Sequence, residues 1–213
     1  MQILNLFSIP LLLGAVAGFP VAEPNKNIGT LATFRASDTP SRVENGVEDF
    51  DADARPLAWQ QSVLNYHNGW RAHHQVGPLA WNNTLAAAAL KWASKCQFQL
   101  TPNNIYGENI AAGTYTNPDW YAYMWYNGSS KYDYNKPGFS YATGTFTQVV
   151  WKDSTQLGCA YVQNCSGGYP NILLCEYSPP GNIIPDSNFA TEVLRPVANP
   201  PNPSPPPMMS NGL

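Results

Sequence analysis

Gly144-Thr145-Phe146-Thr147-Gln148-Val149-Val150-Trp151, followed by Gly158-Cys159-Ala160 and by Cys175-Glu176-Tyr177-Ser178-Pro179-Pro180-Gly181-Asn182, is the stretch on which the reading of this chain turns. In the first block Thr145, Thr147, Val149 and Trp151 alternate with Phe146, Gln148 and Val150, a period of two that predicts a strand over 145–151. Gly158 to Val162 and Ile172 to Tyr177 are short apolar runs bounded by turn residues, and they predict two further strands.

Upstream the period changes. Trp59, Val63, Tyr66 or His67, and Trp70 recur at helical spacing, which predicts an amphipathic helix from Leu57 to His74. A second helix begins at Asn82 or Asn83, both good caps, and carries Leu85, Ala89, Trp92 and Cys96 on one face, with Trp81 placed to staple its start. Pro118 opens a third helix that runs to Asn127 and closes at Gly128. Helices first and strands later, with the helices laid on the sheet faces, is an α+β architecture.

The ends are of a different character. Residues 1–17 run from Ile3, Leu4, Leu6 and Phe7 into Gly14, Ala15, Val16 and Ala17, which reads as a secretory signal too short to span a bilayer. Residues 18–55 mix Pro, Asn, Asp, Glu and Thr without periodicity and read as a flexible spacer or pro-segment. Residues 187–213 hold Pro196, Pro200, Pro201, Pro203, Pro205, Pro206 and Pro207, which exclude helix and central strand, so an extended, disordered tail serving as a spacer is expected. That leaves 56–186 as one domain of common size. A formal charge of −3 without a Lys/Arg cluster argues against nucleic acid or an anionic membrane as the main partner.

Four cysteines in an exported chain suggest two disulfides, for which counting alone allows three connectivities. Cys159 and Cys175 flank a segment with Gly167-Gly168 near its middle, so a hairpin brings them opposite one another and leaves Cys96 to Cys165. No Cys-x-x-Cys pair is present to suggest zinc instead. Asn82-Asn83-Thr84 and Asn127-Gly128-Ser129 are glycosylation sequons, and Asn164-Cys165-Ser166 fits the pattern with a cysteine inside it.

The quoted blocks, together with Asn65-Tyr66-His67-Asn68, Pro78-Leu79-Ala80-Trp81, Leu85 to Cys96 and Tyr106-Gly107-Glu108-Asn109-Ile110-Ala111, resemble the CAP superfamily of cysteine-rich secretory, antigen 5 and pathogenesis-related-1-type proteins. The resemblance is to the fungal, yeast-type branch. It implies a single CAP domain built as a three-layer α-β-α sandwich with a small antiparallel sheet, secreted and working as a monomer.

CAP domains usually hold a divalent cation between two histidines and two glutamates. Alignment with that pattern puts Leu100 at the first histidine, Glu108 at the first glutamate, Gly128 at the second glutamate and Thr145 at the last histidine. One carboxylate cannot supply the ligand number that zinc or magnesium needs, so neither metal nor cofactor is expected. His67, His73 and His74 lack the i, i+4 spacing of a helical zinc site and read as structural or exposed. With no Gly-x-Ser-x-Gly elbow, no free thiol and no cleft base, catalysis is not expected either.

Lys131-Tyr132-Asp133-Tyr134-Asn135-Lys136-Pro137-Gly138-Phe139-Ser140 resembles the caveolin-binding-type loop with which yeast-type CAP proteins bind sterols. Tyr132, Tyr134 and Phe139 would offer flat apolar faces and Pro137-Gly138 a turn to hold them. The competing arrangement packs these rings on their own domain. The family also implies a fatty-acid site between its first and last helices, where Trp59, Val63 and Trp70 stand in this sequence. The expected function is therefore metal-independent capture of sterols, and of fatty acids, for lipid export or scavenging. The rival is a surface-interaction protein that competes with other CAP proteins or binds a cell-wall polymer.

Overall fold

The computed structural model describes residues 56–197 and Pro206; the expected signal and spacer lie outside the described residues. The chain order is α1 (Ala58–His73), β1 (Ala80–Trp81), α2 (Asn83–Ala93), β2 (Gly107–Gly113), α3 (Pro118–Tyr126), a 3₁₀ turn (Asn127–Lys131), α4 (Gly144–Val149), β3 (Gln156–Val162), β4 (Asn171–Ser178), a second 3₁₀ turn (Asp186–Asn188) and α5 (Phe189–Glu192). The helix starts follow from local chemistry. Asn82 Oδ1 accepts from the N–H groups of Thr84 and Leu85 to cap α2, and Asn117 Oδ1 accepts from Asp119 N while Pro118 supplies the first turn of α3.

The four strands form one sheet in the order β1-β3-β4-β2. β4 is central and antiparallel to both neighbours, with Cys159 opposite Cys175 and Glu108 opposite Glu176. The sheet is mixed and not purely antiparallel as expected, because Ala80 and Trp81 pair parallel to Gln156 and Leu157. Two-residue β1 carries no periodic signal from which a strand could be read.

Alternation along the strands divides the core into two. Leu157, Cys159, Leu173, Cys175 and Tyr177 face the layer that contains Val63, Trp70, Trp125, Phe146 and Phe189. Ala160, Ile172, Leu174 and Ile110 face α2 through Ala89 and Ala93. Helices on both faces of a sheet make the three-layer sandwich. One disulfide, Cys159–Cys175, ties the sheet to itself, and the other, Cys96–Cys165, closes the α2 side; this is the expected pairing.

The block that predicts a strand is instead helix α4. Every residue from Gly144 to Trp151 is buried, so the alternation of threonine with apolar side chains does not mark one wet and one dry face. The hydroxyls and amide are spent inside the core. Thr147 Oγ1 donates to Asn182 Oδ1 at 2.6 Å, and Gln148 accepts from Gly181 N and donates to Ser154 Oγ. Tertiary partners, not propensity, set this helix.

Candidate functional site

The positions that would carry a metal in the resembled family lie apart in role. Leu100 packs against the apolar cluster beneath α2. Thr145 is buried in α4 and its hydroxyl donates to the Trp125 carbonyl at 3.3 Å. A side chain at Gly128 would start 3.2 Å from both the Ala142 carbonyl oxygen and the Phe146 Cβ, so a glutamate there would need its neighbours to give way. Among the described residues no group of three His, Cys, Asp or Glu side chains is gathered. This donor set does not fit a divalent cation.

Glu108 has a partner that the sequence did not reveal. Glu176 faces it across the β2–β4 ladder, and Asn104 Nδ2 donates to Glu108 Oε2 at 2.9 Å and to Glu176 Oε2 at 2.8 Å. Thr101 N donates to Glu108 as well. Burial, and then the neighbouring Glu108 carboxylate, hold the Glu176 carboxyl well above the usual carboxylate range, so the pair shares a proton. A raised folded-state pKa stabilises below the unfolded value and loses that stability as pH rises through the folded one. Glu176→Gln is therefore expected to flatten the decline in urea stability between about pH 5 and about pH 9, by on the order of 1–2 kcal/mol at the alkaline end. An unchanged pH profile would remove the shared proton from the account.

The histidines form no site. His67 is fully buried, donating from Nδ1 to the Val63 carbonyl and accepting at Nε2 from the Tyr177 hydroxyl, which also receives Asn109 Nδ2. His74 likewise joins the Leu194 carbonyl to the Tyr126 hydroxyl. Burial lowers both to about 4, which keeps them neutral, and the carbonyl oxygens at Nδ1, which can only accept, fix these tautomers. His73 is half-buried at the end of α1.

The aromatic loop follows the 3₁₀ turn and is anchored along its length. Asn135 N donates to Asp133 Oδ1, Arg195 donates to Asn135 Oδ1, and Phe139 N donates to Asp186 Oδ1 at 3.2 Å. Tyr132 turns inward, 9% exposed, against Phe146 and Tyr134 with ring centroids 5.6 and 4.9 Å away. Tyr134 is half-buried beside the His74 ring and under the Arg195 guanidinium. Phe139 is half-buried, edge-on to Tyr141 and to Phe189.

Between these anchors lies a cleft of about 280 Å³. Tyr132, Pro137 and Phe139 line it, whereas Tyr134 does not. Lys131, Asp133, Lys136, Gly138, Ser140, Thr143 and Asp186 complete the wall, so the cleft is rimmed by charged and polar groups. Sequence reasoning missed Asp186, which comes from the segment after β4, and Tyr141, 61% exposed beside Phe139. The only signal for Tyr141 was its place two residues past Phe139.

Of the residues offered for a fatty-acid groove, Val63 and Trp70 are completely buried in the core and only Trp59 reaches the surface. Asn82 has both amide atoms engaged, capping α2 and donating to Gln156 Oε1 at 2.8 Å, whereas Asn127 is exposed. Among the described residues no helix is long and apolar enough to cross a membrane.

Comparison with known proteins agrees with this geometry. The chain is 40% identical over 137 residues to Protein PRY2 of Saccharomyces cerevisiae, covering 62% of this chain and 40% of that one. It is 38% identical over 137 residues to pathogenesis-related protein 1C of Nicotiana tabacum, covering 61% of this chain and 80% of that protein. Repressed by EFG1 protein 1 of Candida albicans is 40% identical over 143 residues, 63% of this chain and 52% of its own length. The chain thus spans about half or less of the two yeast proteins. Venom allergen-like protein 4 of Schistosoma mansoni shares the fold, with a TM-score of 0.54, 20% identity, and coverage of 66% of this chain and 97% of that one. Residues 64–177, more than half of the chain, match the cysteine-rich secretory protein family, and the chain belongs to that CAP family.

Proposed function

We propose that this CAP protein captures sterols reversibly and without a metal at the cleft walled by Tyr132, Pro137 and Phe139, as a secreted lipid carrier. The observation that supports it is the cleft itself, held open between an anchored aromatic loop and Asp186. Its volume of about 280 Å³ lies just below the roughly 300–1,000 Å³ range of ligand pockets, which suits one end of a rigid ring system with the remainder lying against the exposed Tyr141. Burial of an apolar ring face contributes about 25 cal/mol per Å², or several kcal/mol in all. Phe139 and Tyr132 are already fixed by their own packing, so little side-chain entropy is lost on binding.

Saturation binding of labelled cholesterol or ergosterol to the purified protein tests this. Phe139→Ala is expected to weaken binding about tenfold, and EDTA to leave it unchanged. A folded wild-type protein that binds no sterol would favour the surface-interaction reading, and loss of binding in EDTA would return a metal to the site.

A further inference from the structure

We propose that the mouth of the cleft carries a membrane-docking lip, formed by Tyr141, Ile183 and Ile184, that seats this protein reversibly on a phospholipid surface. Its purpose rests on the sterol reading; its existence rests on the exposure and placement of these side chains.

Two segments of chain build the lip. Asn182 Nδ2 donates to the Gly144 carbonyl at 2.8 Å and Asn182 Oδ1 accepts from Thr147 Oγ1, while Asp186 Oδ1 accepts from Phe139 N. The segment after β4 therefore runs antiparallel to the end of the aromatic loop and is stapled to it at both ends. Between the staples every residue from Ser140 to Ala142, and from Ile183 to Pro185, is exposed. Tyr141 is 61% exposed, Ile183 45% and Ile184 46%. Asn188 Nδ2 donates to the Ile183 carbonyl, so the backbone beneath the isoleucines is held while their side chains are left to solvent. One exposed apolar side chain is ordinary on a folded surface, whereas a group of large ones side by side marks a surface that is covered in use.

Placement and charge select a bilayer as the occupant. Ser140 and Asp186 line the cleft and flank the lip, and Tyr141 packs edge-on to Phe139 of the cleft wall, so lip and cleft are one continuous surface. A sterol is mostly apolar and resides in bilayers, so a cleft that captures it must meet it there. Lys131 and Lys136, exposed on the cleft wall, have no ion-pair partner among the described residues. Asp133 and Asp186 each spend a carboxylate oxygen on a backbone N–H instead. Free ammonium groups and a tyrosine beside aliphatic side chains match the interface of a bilayer, where lysines reach lipid phosphates and an aromatic ring sits at headgroup level.

The formal charge of −3 gives the whole chain no long-range pull toward an anionic surface. Apolar contact of the lip therefore carries the binding, and the lysines orient it. With a lip this short the docking is peripheral, reaching the boundary between headgroups and acyl chains and no deeper.

Flotation of the full chain with sterol-free vesicles of phosphatidylcholine and phosphatidylserine tests docking apart from sterol capture. The wild type is expected to float with the vesicles, and Ile183→Ser with Ile184→Ser to lower the bound fraction about tenfold at an unchanged melting temperature. The same variant is expected to bind sterol in solution as the wild type does, yet to extract it from vesicles severalfold more slowly. A wild type that stays off sterol-free vesicles would overturn the lip, as would a variant that floats equally well. Flotation of a protein that binds no sterol would keep the lip and remove the sterol reading, and sterol binding without flotation would do the reverse. Dimers broken by the same substitutions, in a protein that stays off vesicles, would overturn the lip and give this face to a second copy.

Discussion

Arg71→Ala is expected to cost about 3–5 kcal/mol of stability and to lower the melting temperature by roughly 10–15 °C. Arg71 is 1% exposed, and its guanidinium is held by main-chain carbonyls. Nε donates to Gly77, Nη1 to Val149 and Trp151, and Nη2 to Ser154 and, more weakly at 3.4 Å, to Lys152. These acceptors lie on the turn after α1 and on the whole segment from the end of α4 to β3, so one side chain fastens the signature block to the first helix. Truncation leaves several buried carbonyls without donors, each costing about 1–3 kcal/mol if no water replaces the guanidinium. Burial also lowers the arginine's own pKa to about 10, with Tyr177 and Glu192 opposing part of that fall. Urea denaturation of Arg71→Ala beside Arg71→Lys reads the effect, with lysine recovering only part of it because it lacks the fork. A loss below about 1 kcal/mol for the alanine variant would show that the clamp is dispensable.

Gly158→Ala is expected to be of similar size, more than about 3 kcal/mol, although it adds only one methyl group. That carbon would meet the Ala86 nitrogen, the Asn82 carbonyl oxygen at 2.5 Å and the Leu85 carbonyl carbon at 2.6 Å. All three are backbone atoms of the first turn of α2, so no side chain can rotate away. Either the helix lifts off β3 or the strand bends. Lifting would also break the hydrogen bonds that Asn82 donates to the Leu157 carbonyl and Gln156 Oε1 of β3, and loosen the layer that Ala89 and Ala93 form with Ile172 and Leu174. Thermal unfolding with amide exchange across 83–93 measures it. Wild-type exchange in α2 would mean the helix and strand accommodate the methyl group without separating.

Both residues show what was and was not legible in the sequence. α1 and α2 announced themselves by apolar residues at helical spacing, and α2 and α3 by the cap Asn82 and by Pro118 at their starts. β3 and β4 were legible as short apolar runs between turns, and Cys159 and Cys175 then had to face one another. β2 was missed as a strand, since Gly107–Gly113 holds glycine and alanine where a strand signal needs branched or aromatic residues. α4 was misread because a fully buried segment has no periodic contrast.

The site was legible in part for the same physical reason. The order of Tyr132, Tyr134, Pro137 and Phe139 located the loop, but side-chain direction is set by long-range packing, and only the fold turns Tyr134 away from the cleft and brings Asp186 into it. Arg71 and Glu176 look like ordinary polar residues in a linear reading. Their roles depend on partners as far away as Ser154 and Asn104.

A photoreactive sterol, crosslinked to the wild-type protein and mapped by mass spectrometry, tests metal-free capture at the cleft most directly. The account expects saturable labelling in the presence of EDTA, confined to 131–143 and the segment around Asp186, and competed by unlabelled sterol. Saturable labelling on α1 or α2 with the cleft unmarked would contradict it.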